Sequence, residues 1–379
     1  MTVLVLGGGG FYGRYLVADL LRHTSANIVV ASRRPPEEHG WGSRVQTAVC
    51  EVGDRPRLEQ LMAGCDVVVH CAGPFQYLPL TPLHAAIASG VHYVDIAEDR
   101  RFARAVRELD EEIKAAGISA LSGISVAPAM EALFAAMVLG ALAPPRLDSL
   151  TSIRTFAAPD TRKHRGQAMF HTMLIGVGRP FRQPRNGAQA QVHGWTEAEW
   201  VEFPPPLGRR LTYLVLEMAD LDLLPELFGV QTVEFKAGTE HAWLNRLLGL
   251  AANVSVRTGH PRWERFTRPV RALSWLAGRV GKDQGGVVFE IGGVKNGQPV
   301  TYRLGLVAHR DGGIIPAVLA SIAAQKLLEG RLSQTGLIAI HNWISSRELV
   351  EELSRRGLQL WWQPPGEREW GPFGVEELV

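Results

Sequence analysis

The chain has 379 residues, 21% of them charged and 46% hydrophobic, with a formal net charge of +2. That length exceeds one small core and predicts about two domains, while the near-neutral balance argues against the clustered basic excess of a nucleic-acid-binding protein. Cys50, Cys65 and Cys71 form no CxxC pair, which argues against a disulfide frame or a zinc site and predicts reduced thiols in a cytoplasmic protein.

The elements follow in chain order. Residues 2–6 form an apolar run that predicts a buried strand, and 11–23 carry helical spacing. Further strands are predicted at 27–31, 46–50 and 66–71, with a helix at 55–62. A helix over 82–89 ends at Gly90, a strand follows at 92–96, and a long helix over 98–116 carries Phe102, Val106, Leu109 and Ile113 on one stripe. A sixth strand covers 118–122. Strands that are apolar throughout and separated by helices predict a parallel sheet covered on both faces, the doubly wound α/β class. The pattern changes after Pro144-Pro145. A strand is predicted at 149–156, a helix at 167–177, Pro- and Gly-rich stretches at 179–194 and 203–208, and a strand at 230–237. A hairpin over 287–293 and 299–308 turns at Asn296-Gly297, a dipeptide suited to the type I′ turn. A helix returns from Ile314 to Gly330, another spans 346–356, and an irregular tail follows Trp361. The expected organisation is a Rossmann domain at 1–145, an inserted mixed α/β substrate and dimerisation domain at 146–311, and C-terminal helices at 312–379 returning to the first domain. No signal peptide is expected, because the apolar start lacks a basic flank. The apolar stretch from 132 to 143 is shorter than the ~20 residues of a membrane span.

Gly7-Gly8-Gly9-Gly10-Phe11-Tyr12-Gly13 satisfies G-x-G-x-x-G through Gly8, Gly10 and Gly13, between a strand and a helix. An early glycine, Gly7 or Gly8, permits the tight turn. Gly10 removes the Cβ that would block a pyrophosphate, and Gly13 lets the helix pack close to the strand. The helix start at Phe11 and Tyr12 then offers the positive end of its dipole to the phosphates. The second strand ends in Ser32-Arg33-Arg34 without a carboxylate for a ribose 2′-hydroxyl. A hydroxyl and two guanidinium groups suit a 2′-phosphate, so NADP is expected in preference to NAD. Asp54 after the third strand either bonds the adenine or caps the helix at Arg55. After the fourth strand, the small residues Ala72, Gly73 and Pro74, followed by Phe75, would let the backbone pass beside the nicotinamide ribose. Apolar neighbours make Cys71 an inert thiol.

Taken together, Gly7 to Arg14, Cys71-Ala72-Gly73-Pro74-Phe75 and Gly90-Val91-His92-Tyr93-Val94-Asp95-Ile96 resemble the saccharopine dehydrogenase-like oxidoreductases. A weaker likeness continues through 166–178, 201–208 and 311–330. The resemblance implies an N-terminal NAD(P)-binding domain, an inserted substrate domain and pyridine-nucleotide redox chemistry, often at a C–N bond. It does not carry the substrate.

Hydride transfer asks the protein for geometry and one proton donor or acceptor. Ligands of open α/β sheets sit beyond the carboxyl ends of the strands. Asp95 there could orient an amine or act as base, or be a buried hydrogen-bonded carboxylate, and Tyr93 is a proton donor or packing. Arg165 and His171, in a basic stretch at a helix start, are candidates for anion contact, and His309 stands where the chain returns to the first domain. No metal motif is present. The expected activity is an NADP-dependent oxidoreductase acting on a small organic molecule, at an amine or imine. Trp195, Trp200, Trp243, Trp263 and Trp275 motivate a second reading, reduction of a C=C or C=O bond of an apolar substrate. A third is an NADP(H) sensor or scaffold without turnover. A homodimer is the expected assembly.

Overall fold

A computed structural model describes residues 1–35, 40–142, 147–162, 167–259, 263–270, 272 and 281–378. The chain divides into two compact units, Met1–Met130 with Gly313–Trp343, and Glu131–Gly312 with Ile344–Val379.

The first unit runs β1 (Thr2–Leu6), α1 (Phe11–His23), β2 (Asn27–Ser32), β3 (Val45–Val49), α2 (Arg55–Met62), β4 (Val67–His70), α3 (Thr81–Ser89), β5 (His92–Asp95), α4 (Arg100–Arg107), α5 (Asp110–Ala115) and β6 (Ser119–Leu121). The strands lie in the order β6-β5-β4-β1-β2-β3, extended beyond β6 by the two-residue strand Gly336–Leu337. Every pairing is parallel. Strand order reverses between β1 and β4, where Leu6 stands opposite both Ala31 and His70. Val3, Leu4 and Val5 are fully buried, as a strand covered on both faces requires. The helix Ile315–Leu328 is buried along nearly its whole length and is tied to α1 by Ser321 Oγ donating to Asp19 Oδ2 at 2.6 Å.

The single helix expected over 98–116 is two helices. Asp99 caps α4, its Oδ1 accepting from the N–H groups of Arg101 at 3.1 Å and Phe102 at 3.0 Å. A break at Leu109 then places Asp110, Glu111 and Glu112 in the first turn of α5. Three carboxylates are favourable at a helix N-terminus, and a continuous helix would have put them in its middle.

The second unit contains α6 (Glu131–Ala136), β7 (Ser149–Ala158), α7 (Gln167–Ile175), β8 (Pro180–Arg185), β9 (Ala188–His193), β10 (Glu199–Phe203), β11 (Gly208–Leu214), α8 (Asp220–Phe228), β12 (Thr232–Ala237), α9 (Ala242–Thr258), β13 (Gly285–Lys295) and β14 (Gln298–Ala308). Its mixed sheet runs β10-β11-β12-β7-β13-β14, followed by strands Leu358–Gln363 and Gly371–Pro372. The hairpin of β13 and β14 turns at Asn296 (φ 49°) and Gly297 (φ 74°), the backbone that this dipeptide predicts. The Pro- and Gly-rich stretch 179–194, to which no element was assigned, contains a second such hairpin, β8–β9, turned at Asn186 (φ 49°) and Gly187 (φ 80°).

Residues 312–379 were expected to return whole to the Rossmann domain. Residues from Ile344 onward instead belong to the second unit. A strand that was not anticipated, Leu358–Gln363, runs into the start of the tail expected to be irregular after Trp361 and closes the open edge of β14 from Ala308↔Leu358 to Arg303↔Gln363. Leaving that edge bare would expose a row of backbone donors and acceptors. The second unit likewise begins at Glu131 in place of 146, because α6 packs on the second sheet, with Phe134 stacked on Phe289 at 4.8 Å between ring centroids.

The two faces of this sheet differ. On one, Phe134 and Phe289 join a core that also buries Glu131. Desolvation first, and then the Asp220 carboxylate, push the Glu131 carboxyl well above its usual range, so it is held as the neutral acid. On the other face a row of charges crosses the strands in register: Glu234↔Arg154↔Glu290↔Arg303↔Gln363. Arg154 Nη2 donates to Glu234 Oε1 at 2.9 Å and its Nη1 to Glu290 Oε2 at 2.8 Å. Arg303 Nε reaches Glu290 Oε1 at 3.0 Å and its Nη1 donates to Gln363 Oε1 at 2.7 Å. Lys236 and Glu199 extend the network, paired at 2.5 Å.

Candidate functional site

The site is built at the carboxyl ends of β1 and β4, where the strand order reverses. Open α/β sheets leave a crevice there, because the connections on either side depart to opposite faces. Gly7 turns the chain out of β1 with φ +79° while its N–H donates to Ala31 O at 2.8 Å. A Cβ on Gly7 would come within 2.7 Å of the Ala72 backbone, so the loops after β1 and β4 can approach only as glycine against alanine. A Cβ on Gly13 would stand 2.3 Å from Gly7 O and 2.6 Å from Gly8 Cα, which is why α1 can sit so close over the bend. Gly8 is packed against Val30, and Gly10 N–H donates to Gly7 O at 2.8 Å. Gly10 is exposed and begins α1 without a side-chain cap, leaving the first turn at Phe11, Tyr12 and Gly13 to present its N–H groups to a ligand. Phe11 packs edge-on against Tyr12 and Tyr15, with ring centroids at 5.2 and 5.4 Å.

At the end of β2, Ser32 Oγ is buried and has no hydrogen-bond partner, while Arg33 and Arg34 are exposed. A buried hydroxyl left unpaired costs about 1–3 kcal/mol, and a ligand oxygen at this edge would satisfy it. The residues therefore fit a dinucleotide: a glycine cradle for the pyrophosphate, and a hydroxyl with two guanidinium groups at the strand end where a ribose would lie. Asp54 acts as the cap of α2, its Oδ1 accepting from Arg57 N–H at 3.2 Å.

The loop after β4 holds Cys71, Ala72, Gly73 and Pro74, then buries Phe75 against His70 and Phe102 at 4.9 and 5.1 Å between ring centroids. Burial, and secondarily Asp95, push the Cys71 thiol up to about 12, which leaves it unreactive at neutral pH. Sequence motifs gave no hint of His70. It is fully buried, both ring nitrogens are without partners, and desolvation lowers it to about 3, so it stays neutral.

Asp95 is completely buried at the end of β5. Its Oδ1 accepts from Ala97 N–H at 2.9 Å and Gly123 N–H at 2.8 Å, and its Oδ2 accepts from Ser122 Oγ at 2.8 Å. Of the two roles expected for it, this geometry is that of the buried hydrogen-bonded carboxylate, lashing the ends of β5 and β6 together. Tyr93 is also fully buried; desolvation and then the neighbouring Asp95 carboxylate hold its phenol well above the usual range. Neither group is exposed to a ligand. Glu98, three residues beyond Asp95, was not anticipated. Desolvation first, then Asp99 and Asp95, raise its carboxyl to about 7, offset in part by its own N–H and by the Gln76 amide from the loop after β4. Its acidic neighbours Asp95 and Asp99 stand in the local sequence, but the burial that makes the largest contribution to the shift does not.

Arg165 and Trp275 lie outside the described residues. His171 and His309 belong to the second unit, His171 with Nδ1 3.4 Å from Thr267 Oγ1 and His309 exposed with Nε2 2.7 Å from Gln359 Oε1. Of the described tryptophans that motivated the second reading, Trp195 is core, Trp263 packs on the same cluster, and Trp200 and Trp243 are exposed. No group of three or more potential metal ligands occurs among the described residues.

The strand order, the glycine bend and the orphaned Ser32 hydroxyl define a dinucleotide-binding Rossmann domain. Residues 3–121 match the family described as the saccharopine dehydrogenase NADP binding domain, so this N-terminal domain, about a third of the chain, is of the saccharopine dehydrogenase-like NAD(P)-binding family. An apo, histidine-tagged saccharopine dehydrogenase (L-Glu forming) from Saccharomyces cerevisiae has the same fold, with a TM-score of 0.64 and 17% identity over 96% of this chain and 99% of its own. A C. glutamicum DAP dehydrogenase in complex with DAP overlays more loosely, with a TM-score of 0.46 and 15% identity over 94% of this chain and 98% of its own. An uncharacterized protein of Mycobacterium tuberculosis is 35% identical over 72 residues, 19% of this chain. That match spans only 8% of the curated relative's length. No described helix is long and apolar enough to cross a membrane.

Proposed function

We propose that the protein is an NADP(H)-dependent oxidoreductase acting at the C–N bond of a small amine or imine. The observation that carries the cofactor is the glycine bend at the β1/β4 reversal, beside a strand end that bears Ser32, Arg33 and Arg34 in place of a carboxylate. The substrate class rests on likeness to a fold whose yeast member is a saccharopine dehydrogenase. Bound NADP(H) would supply the two-electron redox chemistry; the chain's own groups position it and handle the proton. Gly7, Gly8, Gly10 and Gly13 clear room for the pyrophosphate, Ser32, Arg33 and Arg34 hold the 2′-phosphate, and Ala72, Gly73 and Pro74 line the ribose side. Wild-type protein is expected to bind NADPH at least about tenfold more tightly than NADH, a difference of about 1.4 kcal/mol. Arg33→Glu/Arg34→Glu should reverse that preference with little change for NADH. Tryptophan fluorescence titration reads both affinities, and equal affinity in the wild type removes the basis for NADP.

Glu98 is the group we assign to proton transfer. A carboxyl near 7 is poised to give or take a proton at neutral pH, whereas Asp95 is fully engaged by three donors and Cys71 stays protonated. With an amine or imine that turns over, the rate should show an inflection near pH 7, with the basic form of Glu98 favouring amine oxidation. Glu98→Gln should remove the inflection and lower kcat by about 10²–10⁴-fold, the usual contribution of a positioned acid or base. An unchanged pH profile in Glu98→Gln would transfer the role elsewhere. Should no amine, imine, enone or ketone change the nicotinamide absorbance, while NADPH still binds, the reading without turnover is favoured.

A further inference from the structure

Helix α9 has two apolar faces, and the fold uses one. Asn245, Leu248, Gly249, Ala252 and Ser255 are its buried residues. Trp243, Leu247, Leu250 and Val254 are 48, 50, 60 and 46% exposed. At about 100° per residue, their spacing of four, three and four gathers them within an arc of roughly 60°, opposite the buried stripe. Arg246 and Arg257 fall on one border of this arc, and α9 contains no acidic residue. Trp200, 46% exposed, stands beside the start of the helix, with the Arg246 and Arg209 guanidinium carbons 6.0 and 5.3 Å from its ring centroid. At the other end Trp263 Nε1 donates to Ser255 Oγ, anchoring a turn that exposes Arg265, Phe266 and Arg268. Residues 241–282 carry eight Lys or Arg against one Glu, in a chain whose net charge is only +2.

We propose that this face of α9, with Trp200 and Phe266 at its ends, docks on an anionic lipid bilayer and lies in the interface without crossing it. A large apolar face with aromatic ends and a basic border is the make-up of a helix that rests at the headgroup level, where apolar burial and attraction to anionic lipid add. Charge decides between a bilayer and a second copy. In a two-fold antiparallel pairing of α9 with itself, the Arg246 and Arg257 borders meet each other with no carboxylate on the helix to offset them. An anionic surface neutralises the same arginines. The inference does not rest on the proposed redox activity.

Co-sedimentation of the full chain with phosphatidylcholine vesicles, with and without phosphatidylglycerol, tests it. Binding is expected with the anionic vesicles, about tenfold or more above phosphatidylcholine alone, and should weaken at about 1 M salt, where screening reaches ~3 Å. Leu247→Glu/Leu250→Glu should abolish it with an unchanged near-ultraviolet circular dichroism spectrum, since both side chains are exposed. Arg246→Gln/Arg257→Gln should reduce it several-fold and flatten its salt dependence. Three results overturn the proposal: no sedimentation with anionic vesicles, sedimentation unaffected by either pair of substitutions, or a lipid-free dimer in analytical ultracentrifugation that Leu247→Glu/Leu250→Glu dissociates.

Discussion

Gly10→Val is expected to yield a folded protein that has lost NADPH. Gly10 has φ −75° and ψ 177°, a backbone open to any residue, and the one near neighbour of an added Cβ is Gly7 O at 3.0 Å. The substitution should therefore shift the melting temperature by only a few degrees, within the ordinary range for exposed sites. Its branched methyl groups would instead occupy the space over the first turn of α1, where the diphosphate must approach the positive end of the helix. A loss of about 100-fold or more in affinity, about 2.7 kcal/mol, is expected in a fluorescence titration with NADPH. Gly13 cannot serve this test, because its Cβ would collide with backbone at 2.3 Å and the fold itself would give way. Retained NADPH affinity in a stable Gly10→Val would mean that the bend does not hold the cofactor.

Asp95→Ala should be the most destabilising single change at the site. It strands Ala97 N–H, Gly123 N–H and Ser122 Oγ in a position without solvent. Buried donors that lose their acceptor cost roughly 1–3 kcal/mol each, and partial relaxation brings the expected loss to about 3–5 kcal/mol. Urea denaturation reads this directly, as a lower midpoint with an unchanged slope. Asp95→Asn keeps an acceptor for the two N–H groups and should cost much less. A native midpoint in Asp95→Ala together with abolished turnover would return Asp95 to a catalytic role.

The Rossmann half was legible because its signals are local. A glycine run between a strand and a helix, and apolar strands punctuated by helices, are set by neighbouring residues, and six of the seven strands of the first sheet lie within a residue or two of where those patterns put them, the exception being Gly336–Leu337. What was not legible depends on contacts distant in sequence. The β8–β9 hairpin carries the same Asn-Gly signal as the hairpin that was recognised, but Pro180 and Pro184 in its first strand argue locally against a strand there. Helix α9 went unseen because apolar residues on both sides erase the one-sided period. The strand Leu358–Gln363 is short and ends before Pro364-Pro365; only the vacant edge of β14 makes it a strand. At the site, Gly7 and Gly13 follow from the motif, while the 0% exposure of Asp95 and the raised carboxyl of Glu98 follow from three-dimensional neighbours.

The row of alternating charges from Glu234 to Arg303 has a consequence for how the second unit finds its native pairing. Neighbouring antiparallel strands of hydrophobic character can slide by two residues and still bury an apolar face, so apolarity alone leaves their alignment degenerate. Here such a slide of β13 along β7 would part Glu290 from Arg154 and set an unmatched guanidinium beside Val288 or Gly292. A slide by one would drive that guanidinium toward the face that holds Phe134 and Phe289. The row therefore works as a combination lock on alignment: its net stabilisation is modest, but each wrong setting is penalised at several strands at once.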